Sequence, residues 1–312
     1  MNVNILPTYR CNLRCSFCYL GEAQLSSRKK LEINKLHKML SQLESIDRIE
    51  IFGGEISLLP DDYILSLFSL INKEFYVLLN GMKIPWWIDM PQINLGFSYD
   101  YTCREDHKKV EQNLLKVEKP FAISMVATEC ILSKDHREII NSINQFPAVH
   151  SFEIKPYLPN EFNHQKISHT KYESFIKKMI QDRDLLKVPF YNEQILQRAF
   201  LPKEEGSTVF ITPDAKWGEI DFLPSGAEYM KEFDTLEERN RFVEQRALLF
   251  NTNKYCSSCK YNGKCASEQQ PVLSMEDSCF GHYNLIEWYA ARQTRDHQHS
   301  FNAFNEQRDM GL

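Results

Sequence analysis

Several features that would assign this chain to a familiar class are missing from its sequence. No apolar run reaches the roughly 20 residues that a membrane-spanning helix needs, and the N-terminal residues show no signal-peptide pattern. The 42 Asp and Glu residues outnumber the 37 Lys and Arg residues, which leaves a formal net charge of −5. We therefore expect neither a membrane nor a nucleic acid as a partner.

Other common signatures are absent as well. The sequence has no internal repeat and no low-complexity linker, and its nine histidines show no metal-ligand spacing such as HExxH. The apolar and charged fractions, 43% and 25%, are ordinary for a globular protein, and 312 residues suffice for one large domain and one small one. We expect a cytoplasmic protein.

The chain does have nine cysteines, an odd number, and most of them lie in two tight clusters. This clustering favours metal ligation in a reducing cytoplasm over a disulfide framework. In the first cluster Cys11, Cys15 and Cys18 have the spacing CxxxCxxC. Three such thiolates can hold three corners of an iron–sulfur cube, and the fourth iron then has no ligand from this run. An open metal position can bind a substrate or cosubstrate.

Two other uses of these cysteines remain. A structural zinc site usually pairs two CxxC-type units, and no partner unit lies nearby in the sequence. The thiols could also be scattered buried side chains, because cysteine often behaves as a small hydrophobe.

Apolar periodicity predicts alternating strands and helices through the first half of the chain. The predicted strands are 3–6, 49–52, 75–79, 93–99, 121–126 and 151–155, and the predicted helices are 31–43, 62–71, 105–117 and 132–143. This alternation indicates an α/β fold built from βα units around a parallel sheet.

The pattern changes at a polar break over 203–206. Two strands at 208–212 and 216–222, a helix at 236–250 and a helix at 283–292 are predicted beyond it. We therefore predict a domain over 1–205, a smaller α+β domain over 206–292 and a polar tail over 293–312. The smaller domain carries the second cysteine cluster, which comprises Cys256, Cys259, Cys265 and Cys279. Four thiolates can close either a zinc site or a complete cubane.

The first cysteine run, with Phe17 before its last cysteine, resembles the radical S-adenosylmethionine (SAM) superfamily. Gly53, Gly54 and Glu55, at the end of the second predicted strand, match that family's GGE motif. The resemblance implies a partial (β/α)6 barrel and a 4Fe–4S cluster whose open iron is chelated by SAM. In that family an electron from the cluster cleaves SAM to a 5′-deoxyadenosyl radical.

The resemblance also implies which residues contact SAM. The Glu55 carboxylate would bind the methionyl amine, and Phe17 lies beside the cluster. Further candidates are polar residues at or near the ends of the predicted strands, namely Asn80, Ser98, Asp100, Ser124 and Lys155. Each of these can instead be a polar residue that caps a loop.

The second cluster resembles the SPASM and twitch extensions, which hold auxiliary 4Fe–4S clusters. Its four cysteines would hold one such cluster, with zinc as the alternative. Cys103 and Cys130 remain, and both can be small buried hydrophobes. Cys103 lies past the fourth predicted strand, on the expected active face, where a thiol could give a hydrogen atom to a substrate radical, as radical epimerases require.

We therefore predict a radical SAM oxidoreductase that removes hydrogen from an unactivated C–H bond. The favoured reaction is peptide maturation, by cross-linking, oxidation or epimerisation of a ribosomally made precursor. The alternatives are an epimerase or dehydrogenase of a small molecule, such as a sugar or aminoglycoside, and a non-catalytic metal-binding protein. An electron donor such as flavodoxin or ferredoxin is expected. Because the chain begins at the first predicted strand, a leader peptide would need another docking surface or a separate recognition protein.

Overall fold

The computed structural model describes residues 1–104, 106–163, 165, 167–201, 208–222, 228–251, 257–262, 264–265 and 282–294. Contacts divide the chain into two compact units, Met1–Tyr191 with Glu204–Leu249, and Asn192–Lys203 with Phe250–Leu312. Two predicted ligands, Cys256 and Cys279, and most of the predicted polar tail lie outside the described residues. No helix in the described part of the chain is both long and apolar enough to cross a membrane.

The first unit is built on one nine-stranded sheet. Its strands are β1 (Asn2–Ile5), β2 (Arg48–Ile51), β3 (Phe75–Leu79), β4 (Ile93–Ser98), β5 (Phe121–Ala127), β6 (Val149–Pro156), β7 (Thr208–Ile211), β8 (Trp217–Phe222) and β9 (Glu228–Phe233). They lie in the order β6-β5-β4-β3-β2-β1-β7-β8-β9. Strands β1 to β7 pair in parallel, whereas β8 and β9 run antiparallel to their neighbours.

Helices alternate with the parallel strands, as the βα pattern predicts. The helices are α1 (Glu22–Leu25), α2 (Ile33–Leu40), α3 (Asp61–Ser69), α4 (His107–Leu114), α5 (Glu129–Leu132), α6 (His136–Asn144), α7 (His169–Gln181), α8 (Tyr191–Arg198) and α9 (Leu236–Asn251). A further helix covers 283–294 in the second unit.

The two faces of the parallel sheet differ in polarity. One face carries apolar side chains that are almost fully buried, such as Val3, Ile49 and Val77. The alternate positions carry polar side chains that keep partial exposure, such as Glu50 and Ser124. Parallel sheets are usually apolar on both faces, so polar side chains at these positions are unusual.

The predicted α/β fold class is confirmed, and the six predicted strands correspond to β1–β6 within a few residues. The strands predicted at 208–212 and 216–222 are present as β7 and β8. They extend the main sheet, because β7 pairs in parallel with β1 from Asn2 opposite Thr208 to Ile5 opposite Ile211. The compact units therefore divide the chain differently from the predicted boundary at 205. Helices α7 and α8 and strand β9 were not predicted.

Candidate active site

The three N-terminal cysteines lie in the loop after β1, at the carboxyl edge of the parallel strands. The Cys11 backbone N–H donates to the carbonyl oxygen of Leu25 at 3.1 Å, and that of Cys18 donates to Cys15 at 3.1 Å. Cys11 and Cys18 also pack against a buried apolar cluster. The members of that cluster are Leu6, Tyr9, Leu20, Leu25 and Phe210. The loop is therefore attached to the core of the first unit.

The surroundings of the three thiols suit metal ligation. Burial raises the pKa of all three, to about 11 for Cys15. Such a thiol ionises when a bound metal stabilises its thiolate. The backbone N–H groups of Leu13 and Leu20 lie 3.4 Å from the sulfurs of Cys11 and Cys18, respectively, and donors to sulfur tune iron–sulfur sites.

The donor set of this loop is compatible with an iron–sulfur cluster. Among the described residues, no group of three or more His, Cys, Asp or Glu side chains is arranged to hold one metal ion. The thiolates of a cubane bind separate irons and need not converge on one point. The three cysteines therefore have the donor chemistry of a 4Fe–4S site.

The GGE segment packs its backbone on the chain that leads into the cysteine loop. Gly54 N–H donates to the Thr8 carbonyl at 2.9 Å, and Glu55 N–H donates to the Arg10 carbonyl at 2.7 Å. A Cβ at Gly54 would lie 2.2 Å from the Arg10 carbonyl oxygen, and Gly53 has a φ of +130°. Both positions therefore need glycine. These glycines let the backbone pack closely against the residues that lead into the cysteine loop.

The Glu55 side chain is buried and already bonded. Its Oε1 accepts the Ser57 N–H at 2.9 Å, and its Oε2 accepts the Asn80 N–H at 2.7 Å. Burial raises the pKa of this carboxyl, and the two hydrogen bonds oppose that rise. A carboxylate has about four acceptor positions, so each oxygen retains one for another donor. The bond from Glu55 to the SAM amine stays a prediction.

Asn80 connects the end of β3 to the cysteine loop. Its side-chain Nδ2 donates to Oδ1 of Asn12 at 2.8 Å and lies 3.8 Å from the Cys11 sulfur. Its Oδ1 accepts the Met82 N–H at 2.9 Å, which fixes the orientation of the amide. The structure therefore brings Asn80, Glu55 and Cys11 together.

Arg104 is the residue at this edge that sequence reasoning missed. Its buried guanidinium forms an ion pair with Asp100 and lies 6.0 Å from the centroid of the Phe17 ring. It donates to Oγ of Ser98 at 2.9 Å, and within the described residues its Nε has no hydrogen-bond partner. Burial lowers the pKa of Arg104, but Asp100 and the nearby Cys15 outweigh it and the net shift is upward.

Two predicted SAM contacts, Ser98 and Asp100, hold Arg104 in place. The Asp100 carboxylate is almost fully buried, and its other oxygen accepts the Val126 N–H at 3.2 Å. Burial raises the pKa of Asp100, and the Arg104 guanidinium opposes that rise. The polar group that this part of the edge presents toward the cysteine loop is therefore Arg104.

The remaining predicted contacts lie on neighbouring strands. Ser124 of β5 is paired in register with Ser98 of β4, and Lys155 of β6 is paired with Val126. Ser124 is partly exposed and Lys155 is exposed. Both are near the same carboxyl edge, and their contact with a cofactor stays a prediction.

The structure corrects the interpretation of Cys103 and Cys130, because they form a disulfide. Cys103 follows β4 and Cys130 follows β5, so the pairing of these adjacent strands brings the two residues together. Cys130 is exposed and is not the buried thiol that was predicted. In this state Cys103 therefore has no free thiol. The expectation that the cysteines are reduced is wrong for this pair.

Two of the four predicted auxiliary ligands are described, and both belong to the second unit. Tyr261 N–H lies 3.4 Å from the Cys259 sulfur, and Cys265 N–H donates to the Tyr261 carbonyl at 2.8 Å. Tyr261 is buried and bonds Glu287 through its hydroxyl. The turn brings Cys259 and Cys265 near each other, and the four-cysteine site stays a prediction.

No family model and no curated protein matches the sequence. Solved structures do match in fold. The structure of anSMEcpe with bound AdoMet has a TM-score of 0.72 at 17% identity and covers 96% of this chain and 99% of that chain. The same protein with AdoMet and the Cp18Cys peptide has a TM-score of 0.69 at 17% identity, over 96% and 100%.

Streptococcus suis SuiB bound to precursor peptide SuiA is a third similar structure. Its TM-score is 0.57 at 16% identity, and the match covers 85% of this chain and 70% of that chain. SuiB has also been solved with bound S-adenosylmethionine, the same molecule as AdoMet. The chain therefore shares the fold of two proteins whose structures contain bound AdoMet, which agrees with the fold that the resemblance implies.

Proposed function

We propose that this chain is a radical SAM enzyme that removes a hydrogen atom from a C–H bond of a peptide substrate. One observation carries the proposal. On a radical SAM fold, the structure gathers the cysteine loop, Glu55, Asn80 and Arg104 at the carboxyl edge of the parallel sheet. That edge is where α/β enzymes place their chemistry.

The chain's own residues supply binding and placement. Cys11, Cys15 and Cys18 would hold a 4Fe–4S cluster. When bound, the cluster and SAM would supply an electron and a carbon radical strong enough to break an unactivated C–H bond. The apolar side chains packed against Cys11 and Cys18 would keep water from the inner side of the loop.

Two charged residues would recognise the two ends of the SAM amino acid. Glu55 would accept the ammonium group, through the acceptor positions that Ser57 and Asn80 leave open. Arg104 would bind the carboxylate through its Nε–H, which has no partner among the described residues, because a charged donor makes a strong hydrogen bond to a carboxylate. Opposite charges would thus orient SAM across the loop.

A peptide is the favoured substrate class. Two of the similar structures, anSMEcpe and SuiB, contain a bound peptide. The polar face of the sheet keeps partial exposure at Ser98 and Ser124, next to the cysteine loop, and offers room for a polar backbone. A second cluster on Cys256, Cys259, Cys265 and Cys279 would accept the electron that an oxidised product gives up. Reduced flavodoxin or ferredoxin would supply the electron for SAM cleavage.

The experiment is anaerobic reconstitution followed by reaction with SAM and dithionite. We expect about eight iron and eight sulfide per chain, as two cubanes, and formation of 5′-deoxyadenosine. A library of deuterium-labelled short peptides would then identify the substrate, because a substrate would transfer deuterium to the 5′-deoxyadenosine formed from SAM. Iron binding without SAM cleavage under reducing conditions would refute the enzymatic proposal, and zinc at the second site would refute the auxiliary cluster.

A further inference from the structure

Three side-chain amides from the loop after β6 bind the cysteine loop. They belong to Asn160, Asn163 and Gln165, which we call the amide clasp. They donate to three consecutive backbone carbonyl oxygens, those of Phe17, Cys18 and Ser16, respectively. Donor and acceptor are 143 to 149 residues apart in the sequence, so this contact depends on the tertiary fold.

The orientation of Asn160 follows from its other bonds. Its Oδ1 accepts the N–H groups of Phe162 at 3.0 Å and Asn163 at 2.9 Å. The opposite end of the amide, Nδ2, must then face the Phe17 carbonyl oxygen, which lies 3.4 Å away. Asn160 is only 1% exposed, so losing either end would leave polar groups without a partner.

The loop that carries the clasp is itself held in place. The Tyr157 hydroxyl donates to the Asn163 carbonyl at 2.7 Å and accepts the Gln165 N–H at 3.0 Å. The Phe162 ring covers Gly21, where an added Cβ would lie 2.5 Å from a ring carbon. The donors of the clasp therefore project from a fixed segment.

We propose that Asn160, Asn163 and Gln165 are positioning residues that set the orientation and the electrostatic potential of the cysteine loop around its cluster. The inference rests on the proposed function. The peptide group is planar, so fixing the carbonyl of residues 16–18 also fixes the direction of the following N–H groups. Partners that orient metal ligands in this way control affinity and redox potential.

The clasp also lowers the electrostatic cost of reducing the cluster. The three carbonyl oxygens belong to the cysteine loop and carry partial negative charge, and reduction would add a further negative charge to the cluster that this loop would hold. An amide N–H aimed at each carbonyl offsets part of that charge, in surroundings that screen poorly because they are half-buried. Removing the donors should therefore make the cluster harder to reduce.

The test is the midpoint potential of the reconstituted N-terminal cluster in the double variant Asn163→Ala with Gln165→Met. Both changes remove a donor without adding charge, and Asn160 stays to hold the loop. We expect unchanged iron content and a midpoint potential shifted to more negative values. Asn144→Ala is the matched control, because its amide also bridges a carbonyl, that of Leu185 at 2.7 Å, and an N–H, that of Lys187 at 2.9 Å.

The outcomes separate the clasp from the proposed function. An unchanged or more positive potential, with a full cluster and normal SAM cleavage, overturns the clasp and leaves the enzyme intact. Failure of the wild-type chain to bind iron or cleave SAM overturns both. If circular dichroism shows that the double variant unfolds, Gln165→Met alone decides by the same criterion, because its side chain is partly exposed. A folded double variant that loses its cluster contradicts the expected iron content, and Gln165→Met alone then decides by the same criterion.

Discussion

The two cysteine-rich segments of this chain differ in how much of the surrounding protein holds their sulfurs. The first segment lies against an apolar cluster, and its neighbours Glu55, Asn80 and Arg104 come from three different strand ends. In the second segment, Cys259 and Cys265 both bond Tyr261, which is close to them in the sequence. The first site lies in a loop at the edge of the sheet, and the described part of the second site is a short turn.

Under the proposed function the two segments would carry two kinds of metal chemistry. A site that must bind a second molecule at an open iron needs charged and polar groups around it, and the first segment has them. A site with four thiolates of its own is closed and needs only the ligands and a stable turn. The proposal therefore assigns catalysis to the first segment and electron transfer to the second.

The largest expected effect separates the two segments directly. Changing Cys11, Cys15 and Cys18 together to Ala should remove about four of about eight iron and abolish 5′-deoxyadenosine formation, because no ligand remains for the catalytic cluster. Changing Cys259 and Cys265 to Ala should also remove about four iron but leave SAM cleavage at a normal rate. Iron assays and chromatography of the nucleoside products measure both. Loss of SAM cleavage in the second variant would break the comparison.

The second prediction concerns the ammonium side of the SAM site. Glu55→Gln should keep the cluster but weaken SAM binding about ten- to hundredfold, because a charge-assisted hydrogen bond contributes about 1.5–3 kcal/mol. Glu55→Ala should lose as much affinity and more stability, since the N–H groups of Ser57 and Asn80 would both lose their acceptor, whereas the Gln amide oxygen still accepts from one of them. Calorimetric titration and thermal unfolding separate the two effects.

The control for this prediction is Glu22→Gln, an exposed carboxylate paired with Arg14 near the same loop. It should leave SAM affinity unchanged. Wild-type affinity in Glu55→Gln would mean that the GGE segment serves only to pack the cysteine loop.

The third prediction concerns Arg104 and has a smaller expected effect. Arg104→Gln alone would strand the buried Asp100 carboxylate, which costs about 3–5 kcal/mol. The double variant Arg104→Gln with Asp100→Asn removes both charges and should fold, with an affinity for SAM lowered about tenfold. Arg137→Gln, which breaks an exposed pair with Asp182, is the control. Wild-type affinity in the double variant would leave Arg104 with a structural role only.

Sequence reasoning recovered what depends on local pattern. Strands β1–β6 follow from apolar periodicity, and the cysteine loop and Gly53-Gly54-Glu55 follow from spacing. It could not recover what depends on which strand ends become neighbours. Arg104 carries no motif, and its importance appears only when β4 meets the cysteine loop. The parallel pairing of β7 with β1 likewise depends on an open sheet edge that no local signal marks.

The clasp and the disulfide were missed for the same physical reason. In the sequence, Asn160, Asn163 and Gln165 are ordinary loop residues. The carbonyl groups that they bond lie 143 to 149 residues earlier in the chain. Cys103 and Cys130 have a sequence separation of 27, and only the pairing of β4 with β5 makes them partners. Cysteine spacing alone favours metal ligation and does not indicate this pair.

The smallest expected effect on activity concerns Cys103 and Cys130. Their variants test whether the sheet edge holds a second reactive centre. If the pair is structural, Cys103→Ala and Cys130→Ala should both cleave SAM and turn over normally, with product from heavy water carrying no added deuterium. Each should lose the disulfide's stabilisation, about 3 kcal/mol for a loop closed over a separation of 27 residues, seen as a lower melting temperature without reductant.

A different result follows if Cys103 donates hydrogen in an epimerisation. Cys130→Ala would then stay active with deuterium in its product, whereas Cys103→Ala would cleave SAM and stall. We expect the first result, because the structure engages the Cys103 sulfur in a bond and places Arg104, not a thiol, toward the cysteine loop.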